Sequence, residues 1–266
     1  MAVPDLARRQ PTVPQPAFRQ FPTAWRFALR NQARNRLAAL LLVVFVPLWY
    51  LLMQAIAGHK PLTFRLFSTG QVLTVDGGHL TLISAGLNSV TMIVGFGIFA
   101  AIRRTLAFDK RLVFAGFRQA TLIAAKTCAI AVIAVAVACY TAMVLLAFWR
   151  PGAGGWLAIW AGFTVMALTY GAFGLLLGVL VKGDLEGFFL MIMGSLTDTF
   201  LQDPLANKPV LEWFPSFGPM QFAVASAFGH AARWSHLTVG LAWTAAFTSA
   251  GLPGSVRSVA QGRNRT

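Results

Sequence analysis

Apolar runs of about twenty residues recur along this chain, and most are long enough to cross a bilayer core of roughly 30 Å as a helix. They read as six spans, at 38–57, 82–102, 121–148, 156–181, 187–201 and 236–252. Hydrocarbon offers the backbone no hydrogen-bond partners, so such runs are expected to fold as helices packed on one another. Composition agrees. Only 11% of residues are charged and 57% are hydrophobic, whereas a soluble domain carries about 25% charged residues. Disorder of the whole chain and a disulfide scaffold are excluded by the same figures and by a cysteine count of 2. The fold class expected is all-α, a polytopic membrane protein.

The formal charge of +14 would suggest nucleic acid in a soluble protein, but here the basic residues are placed by topology. With the N-terminus inside, seventeen of the 22 Lys and Arg fall on inner segments: before span 1, from Arg103 to Lys126, at Lys182, and after span 6. Basic residues resist translocation, so both termini are assigned to the cytoplasm and no nucleic-acid partner is expected. Ala55-Ile56-Ala57 looks like a signal-cleavage site, but a 37-residue segment precedes the run, so span 1 is read as retained. Cys128 and Cys139 lie eleven residues apart on span 3 and cannot pair with each other. Arg outnumbers Lys 17 to 5 in an Ala-rich chain, which suggests a GC-rich bacterial genome and hence a bacterial cell membrane.

Residues 1–22 carry five prolines and are expected to be a disordered cytoplasmic tail, with Thr23 capping the helix that follows. Arg26, Arg30 and Arg34 then recur beside Trp25, Leu29 and Ala33, the pattern of an amphipathic helix lying flat at the inner membrane surface. The transmembrane domain is assigned to 23–256 and a cytoplasmic tail to 257–266. Ser84, Gly86, Asn88, Ser89, Thr91, Gly95 and Gly97 turn span 2 towards protein or a pathway rather than lipid. Leu112, Val113 and Phe117 suggest one short helix in the basic loop 103–118. Span 5 is short and ends in Ser195, Thr197, Asp198 and Thr199. Asp198 sits either inside the membrane as a functional carboxylate or at the outer headgroups. Trp213 among Pro204, Pro209, Pro215 and Pro219 points to short helices at the outer interface.

Several chemistries are missing from the chain. No Gly is followed by Lys, so there is no Walker A phosphate loop, and no His is followed by Glu, which removes the HExxH zinc motif. The Gly-x-Ser-x-Gly elbow is absent as well. His59, His79, His230 and His236 lie at or near the outer boundary and suggest no metal site. The chain is not expected to be an enzyme.

The order of these features resembles the ABC-2-type permease family, the membrane subunits of ATP-binding-cassette exporters, over about 20–256. The resemblance rests on the basic amphipathic segment 21–36, and on Arg111-Leu112-Val113 with Lys126, where the family has a coupling helix and a lysine at the base of span 3. It rests also on Gly171-Ala172-Phe173-Gly174-Leu175-Leu176-Leu177-Gly178 and on Trp213-Phe214-Pro215-Ser216-Phe217-Gly218-Pro219-Met220. Two features depart from the family: only Asp109 is available where an acidic residue, commonly Glu, follows span 2, and span 6 is short and polar.

The resemblance implies six transmembrane helices, a second permease subunit (a homodimer), and separate ATPase subunits that hold ATP and magnesium, with no cofactor in this chain. Asp109, Lys110, Arg111 and Arg118 would meet the ATPase by charge, and Phe114 and Phe117 would fill a groove on it. In the family the substrate route runs between the subunits along spans 2 and 5. It implies a route here along Asn88, Thr91, Met92, Gly95, Phe96 and Phe99, and along Phe188, Met191, Ile192, Ser195 and Thr199. The function expected is export of an amphiphilic or drug-like substrate. Export of a lipid or glycan precursor, and an ATPase-independent scaffold or channel, are the alternatives.

Overall fold

In a computed structural model, residues 17–34, 36–66, 70–114, 117–152, 154–201, 209–230 and 233–263 are described. The chain is mostly helical: α1 Ala17–Ala33, α2 Arg36–Ile56, α3 Gly77–Phe114, α4 Gln119–Phe148, α5 Gly155–Leu180, α6 Asp184–Leu201, α7 Phe217–Ala227 and α8 Ser235–Arg263. Among the described residues four stretches are long and apolar enough to cross a membrane, namely Ala39–Ile56, Gly77–Leu106, Ala120–Phe148 and Gly155–Leu180. They match the first four expected spans, and the protein is a membrane protein by this measure. α6 and α8, at spans five and six, do not meet the same standard.

Glycines set how closely the helices approach. On α5, Gly171 faces Val94 and Ile130, Gly174 lies on the carbonyl of Gly95, and Gly178 sits against Ile102. This row lets α3 and α5 touch backbone to backbone, as small residues do between apolar helices. The same pairs give direction, since Phe163 lies against Gly86 and Ile102 against Gly178, so α3 and α5 run parallel. Val165 with Gly240 and Leu175 with Gly251 set α8 parallel to α5. α6 is antiparallel to α3: Phe99 lies against Gly187, Met191 against Gly95, and Thr199 bonds Asn88.

α6 stops level with Asn88, eleven residues short of the start of α3, or about 16 Å below it. α7 begins there. Pro219 lies on Gly162 and Ala227 on Gly155, so α7 climbs back to the outer start of α5. Ten of its eleven residues are buried, so it is an inner element; of the short helices expected beside the prolines, the exposed one is the single turn Pro209–Trp213, with Val210 and Trp213 facing outward. α6 and α7 together cover the length that one helix covers elsewhere in the bundle.

Three further segments differ from expectation. α3 runs unbroken through the basic loop to Phe114 instead of ending at 102 and restarting, because 98–114 contains neither Gly nor Pro. The first breaker in the loop is Gly116. The segment after α2 folds as an antiparallel hairpin, β1 Pro61–Arg65 with β2 Val72–Asp76, in register from Pro61 opposite Asp76 to Arg65 opposite Val72. Phe64, Leu73 and Val75 bury its inner face. α1 starts at Ala17 with Pro22 inside it, so the helix precedes the Thr23 cap expected for it. Of the disordered tail expected at 1–22, residues 17–22 are instead the first turns of α1 and 1–16 lie outside the described residues, and α8 runs on to Arg263 where a tail was expected from 257.

α1 also stands differently from a helix laid across the base of the bundle. Gln20 accepts from the Arg118 amide, Ala24 packs on Leu122 and Ala125, and Gln32 reaches Gly97. Ascending α1 therefore ascends α4, and the two lie side by side.

Candidate functional site

Polar side chains gather at two places. The first is the seam between α3 and α6, where spacing of three to four residues on each helix puts Asn88, Thr91 and Gly95 opposite Thr199, Ser195 and Met191. The Thr199 hydroxyl donates to Asn88 Oδ1 at 2.5 Å, and the Thr91 and Ser195 hydroxyls share a hydrogen bond of 3.2 Å. The Met191 thioether lies against Gly95. Thr91, Met191 and Ser195 are buried, as is Phe99, which lies beneath Gly187.

These residues therefore close a helix–helix seam rather than line an open route within the chain. Phe96 stacks on Phe188 with ring centroids 5.2 Å apart, and Phe99 meets the same ring edge-on at 5.4 Å. Phe188 and Ile192 face outward, and Met92 and Phe96 are half-buried. The apolar face of α6 beyond the seam is broader than the sequence reading held, for Leu185, Phe189, Met193, Leu196 and Phe200 are exposed as well.

At the upper end of the seam Asp198 is buried. The Tyr170 hydroxyl donates to its Oδ2 at 2.8 Å, and Ser216 Oγ donates to its Oδ1. Asp198 is thus a carboxylate enclosed by the protein's own side chains. Three elements meet on it: α5 through Tyr170, α6 by its own position, and the start of α7 through Ser216. Sequence reasoning named neither partner for Asp198, though Ser216 lies within the Trp213-to-Met220 stretch it had singled out.

The second place is the α3–α4 end. Lys126 Nζ bonds Thr105 Oγ1 at 2.8 Å and pairs with Asp109, both charged side chains being about four-fifths buried. Asp109 is thus an internal brace and is not turned out for a partner, which corrects its assignment as a surface charge contact. Phe117 is corrected too, since it packs with Trp25, Ala24, Leu112 and Leu122 under α1. Arg111 and Arg118 are exposed, Phe114 is 62% exposed, and the Lys110 side chain lies outside the described residues.

Arg103, not singled out from the sequence, ties this end to the α5–α6 turn. Its guanidinium donates to Asp184 Oδ1 at 2.7 Å, to the Val181 carbonyl at 3.0 Å and to the Lys182 carbonyl at 2.5 Å. A fork of donors on the last carbonyls of a helix neutralises the negative end of its dipole. The signal available in the sequence was that Arg103 and Asp184 flank neighbouring spans on the same side. Beside the brace, Phe27 stacks on Phe108 at 5.2 Å over an apolar cavity of about 290 Å³ between α1, α3 and α4.

No cluster of His, Cys, Asp and Glu among the described residues is arranged to hold a metal ion. Of the four histidines, His59 bonds Asp76 at 3.1 Å and His79 stacks on Trp149. Compared with known proteins, the chain matches no protein-family model, and no curated protein is significantly similar to it.

Proposed function

We propose that this chain is the permease subunit of an ATP-binding-cassette exporter, moving an amphiphilic or drug-like substrate outward while a separate subunit hydrolyses ATP. The observation that carries this reading is the bracing of the α3–α4 end. Arg103 fastens it to the start of α6, Asp109–Lys126 fastens α3 to α4, and Gln20 fastens α1 to Arg118. A force applied to Arg111, Phe114 and Arg118 would move α3, α4 and α6 as one body, which is what transmission from a docked partner requires. The chain carries no phosphate loop of its own, in keeping with that division of labour.

In this reading the bundle crosses the membrane six times. α2, α3, α4 and α5 are the first four crossings, α6 and α7 make the fifth in two halves that meet beside Asp198, and α8 is the sixth. The alternating directions leave the start of α2 and the end of α8 on the same, cytoplasmic, side. The exposed apolar face of α6, with Phe188, Ile192 and Phe96, meets a second copy of the chain, and substrate passes between the two copies over these adaptable apolar side chains.

The test is co-expression with an ATP-binding-cassette protein encoded beside this chain, and transport assay of the reconstituted complex. Phe114→Ala is expected to leave insertion intact, lower ATP-driven transport about tenfold and leave basal ATP hydrolysis within about twofold, since an aromatic anchor of a docking surface contributes about 1–2 kcal/mol or more. Transport at the wild-type rate would reject the docking role of this end.

A further inference from the structure

An apolar groove of about 360 Å³ lies in the crook where α1 turns into α2. Leu29 and Ala33 come from below the turn, Ala39 and Leu42 from above it, and α3 and α4 close the back with Ile93 and Val137. Among the described residues Gln32 is the one polar side chain in the lining; its Nε2 lies 3.6 Å from the place a Cβ on Gly97 would take. Residues close to this lining in the sequence are basic. Arg30, Arg34 and Arg36 are all exposed around the turn, and among the described residues none of them meets an acidic side chain. Nor does the Gln32 amide make a hydrogen bond among those residues.

We infer that this crook is a lipid-binding site that takes one acyl chain of an anionic glycerophospholipid into the groove and its phosphate onto Arg30, Arg34 and Arg36. The two halves of the site match the two halves of the ligand. A groove walled by Leu, Ile, Val and Ala gains about 0.8 kcal/mol for each methylene it removes from water, yet gains little over bulk lipid, so packing alone selects no lipid. Charge does. Each basic side chain near the surface adds about 1 kcal/mol towards an anionic headgroup, and guanidinium forks suit phosphate oxygens. Gln32 stands where the glycerol ester carbonyls of such a lipid would pass, with its amide free to donate to them. The site requires that α2 cross the membrane; it does not require that an ATPase dock, so its failure and the failure of the exporter reading are separable.

The test uses the full chain purified in mixed micelles of phosphatidylcholine with added palmitoyl-oleoyl phosphatidylglycerol, read by native mass spectrometry and by the unfolding midpoint. One phosphatidylglycerol per chain is expected to survive conditions that strip phosphatidylcholine, and its addition should raise the midpoint. Replacing Arg30, Arg34 and Arg36 together with Gln should weaken retention roughly a hundredfold. Gly97→Leu keeps every charge but fills the groove, and nothing but the flexible Gln32 amide stands within reach of the new side chain's first carbon. It should lose the bound lipid as well. Val132→Phe, at an exposed position on the groove wall, is a second plug if Gly97→Leu does not accumulate. Equal retention of the two lipids, or a plugged variant that still holds phosphatidylglycerol, overturns the assignment.

Discussion

At the scale of single residues, the Asp109–Lys126 pair shows how burial changes the meaning of a charge. Both side chains lie about four-fifths out of solvent, where removing one partner strands the other and costs about 3 kcal/mol or more, while replacing both by apolar residues costs far less. Lys126→Met is expected to lower stability strongly, and Asp109→Leu with Lys126→Met to recover most of the loss, in a double-mutant cycle of chemical unfolding in mild detergent. Additive losses would mean that the pair is not coupled. Asp76, at the start of α3, is the opposite case. The His59 side chain and the Gly78 amide hold its carboxyl below the ordinary carboxylate range, and His79 adds to the effect against a smaller opposing cost of burial. A carboxyl lowered in the folded state stabilises the fold above its unfolded pKa of about 3.9 and loses that contribution as pH falls through the folded value. Amide exchange in the 61–76 hairpin should therefore stay slow from pH 7 to about 4.5 and quicken below about 3.9. Asp76→Asn should remove this dependence.

At the scale of elements, the closest helix crossing depends on glycine. A Cβ at Gly174 would press on the carbonyl of Gly95, which as backbone cannot move aside. Gly174→Ala is expected to destabilise the bundle by about 1–3 kcal/mol, the usual cost of overpacking. Gly152→Ala, with open space around it, should change the unfolding midpoint little. Equal effects at both sites would mean that α3 and α5 are not in backbone contact. The apolar runs made these long helices legible, since a twenty-residue apolar stretch has few other fates. The hairpin was missed although Leu62, Phe64, Leu73 and Val75 alternate with polar residues, because two five-residue strands give a weak signal beside spans of twenty. α7 was misplaced for a related reason. Its eleven residues are mostly apolar but too few to span, and proximity to Trp213 suggested the interface. Its burial follows from α6 ending about two-thirds of the way up α3, a length relation that only packing reveals. In the same way the polar residues of α3 and α6 could be read as needing partners, but the pairing of Asn88 with Thr199, 111 residues apart, is tertiary.

For the whole molecule, α1, α3, α4 and the start of α6 form a braced lower end, and α5, α6 and α7 hold the buried Asp198 junction, with α3 and α5 joined along their length between them. Ser216→Ala should free the start of α7 without unfolding the bundle, seen as faster amide exchange confined to α7. Uniform protection would show that Ser216 does not hold it. The membrane arrangement proposed for the chain puts the α3–α4 turn and the α4–α5 turn on opposite faces. Impermeant maleimide labelling in oriented vesicles decides this most directly. In a Cys128→Ala, Cys139→Ala background, Arg111→Cys should react only from the cytoplasmic side and Gly152→Cys only from the outer side. Reaction of the cysteine at 111 from the outer side would contradict both the topology and the exporter built on it.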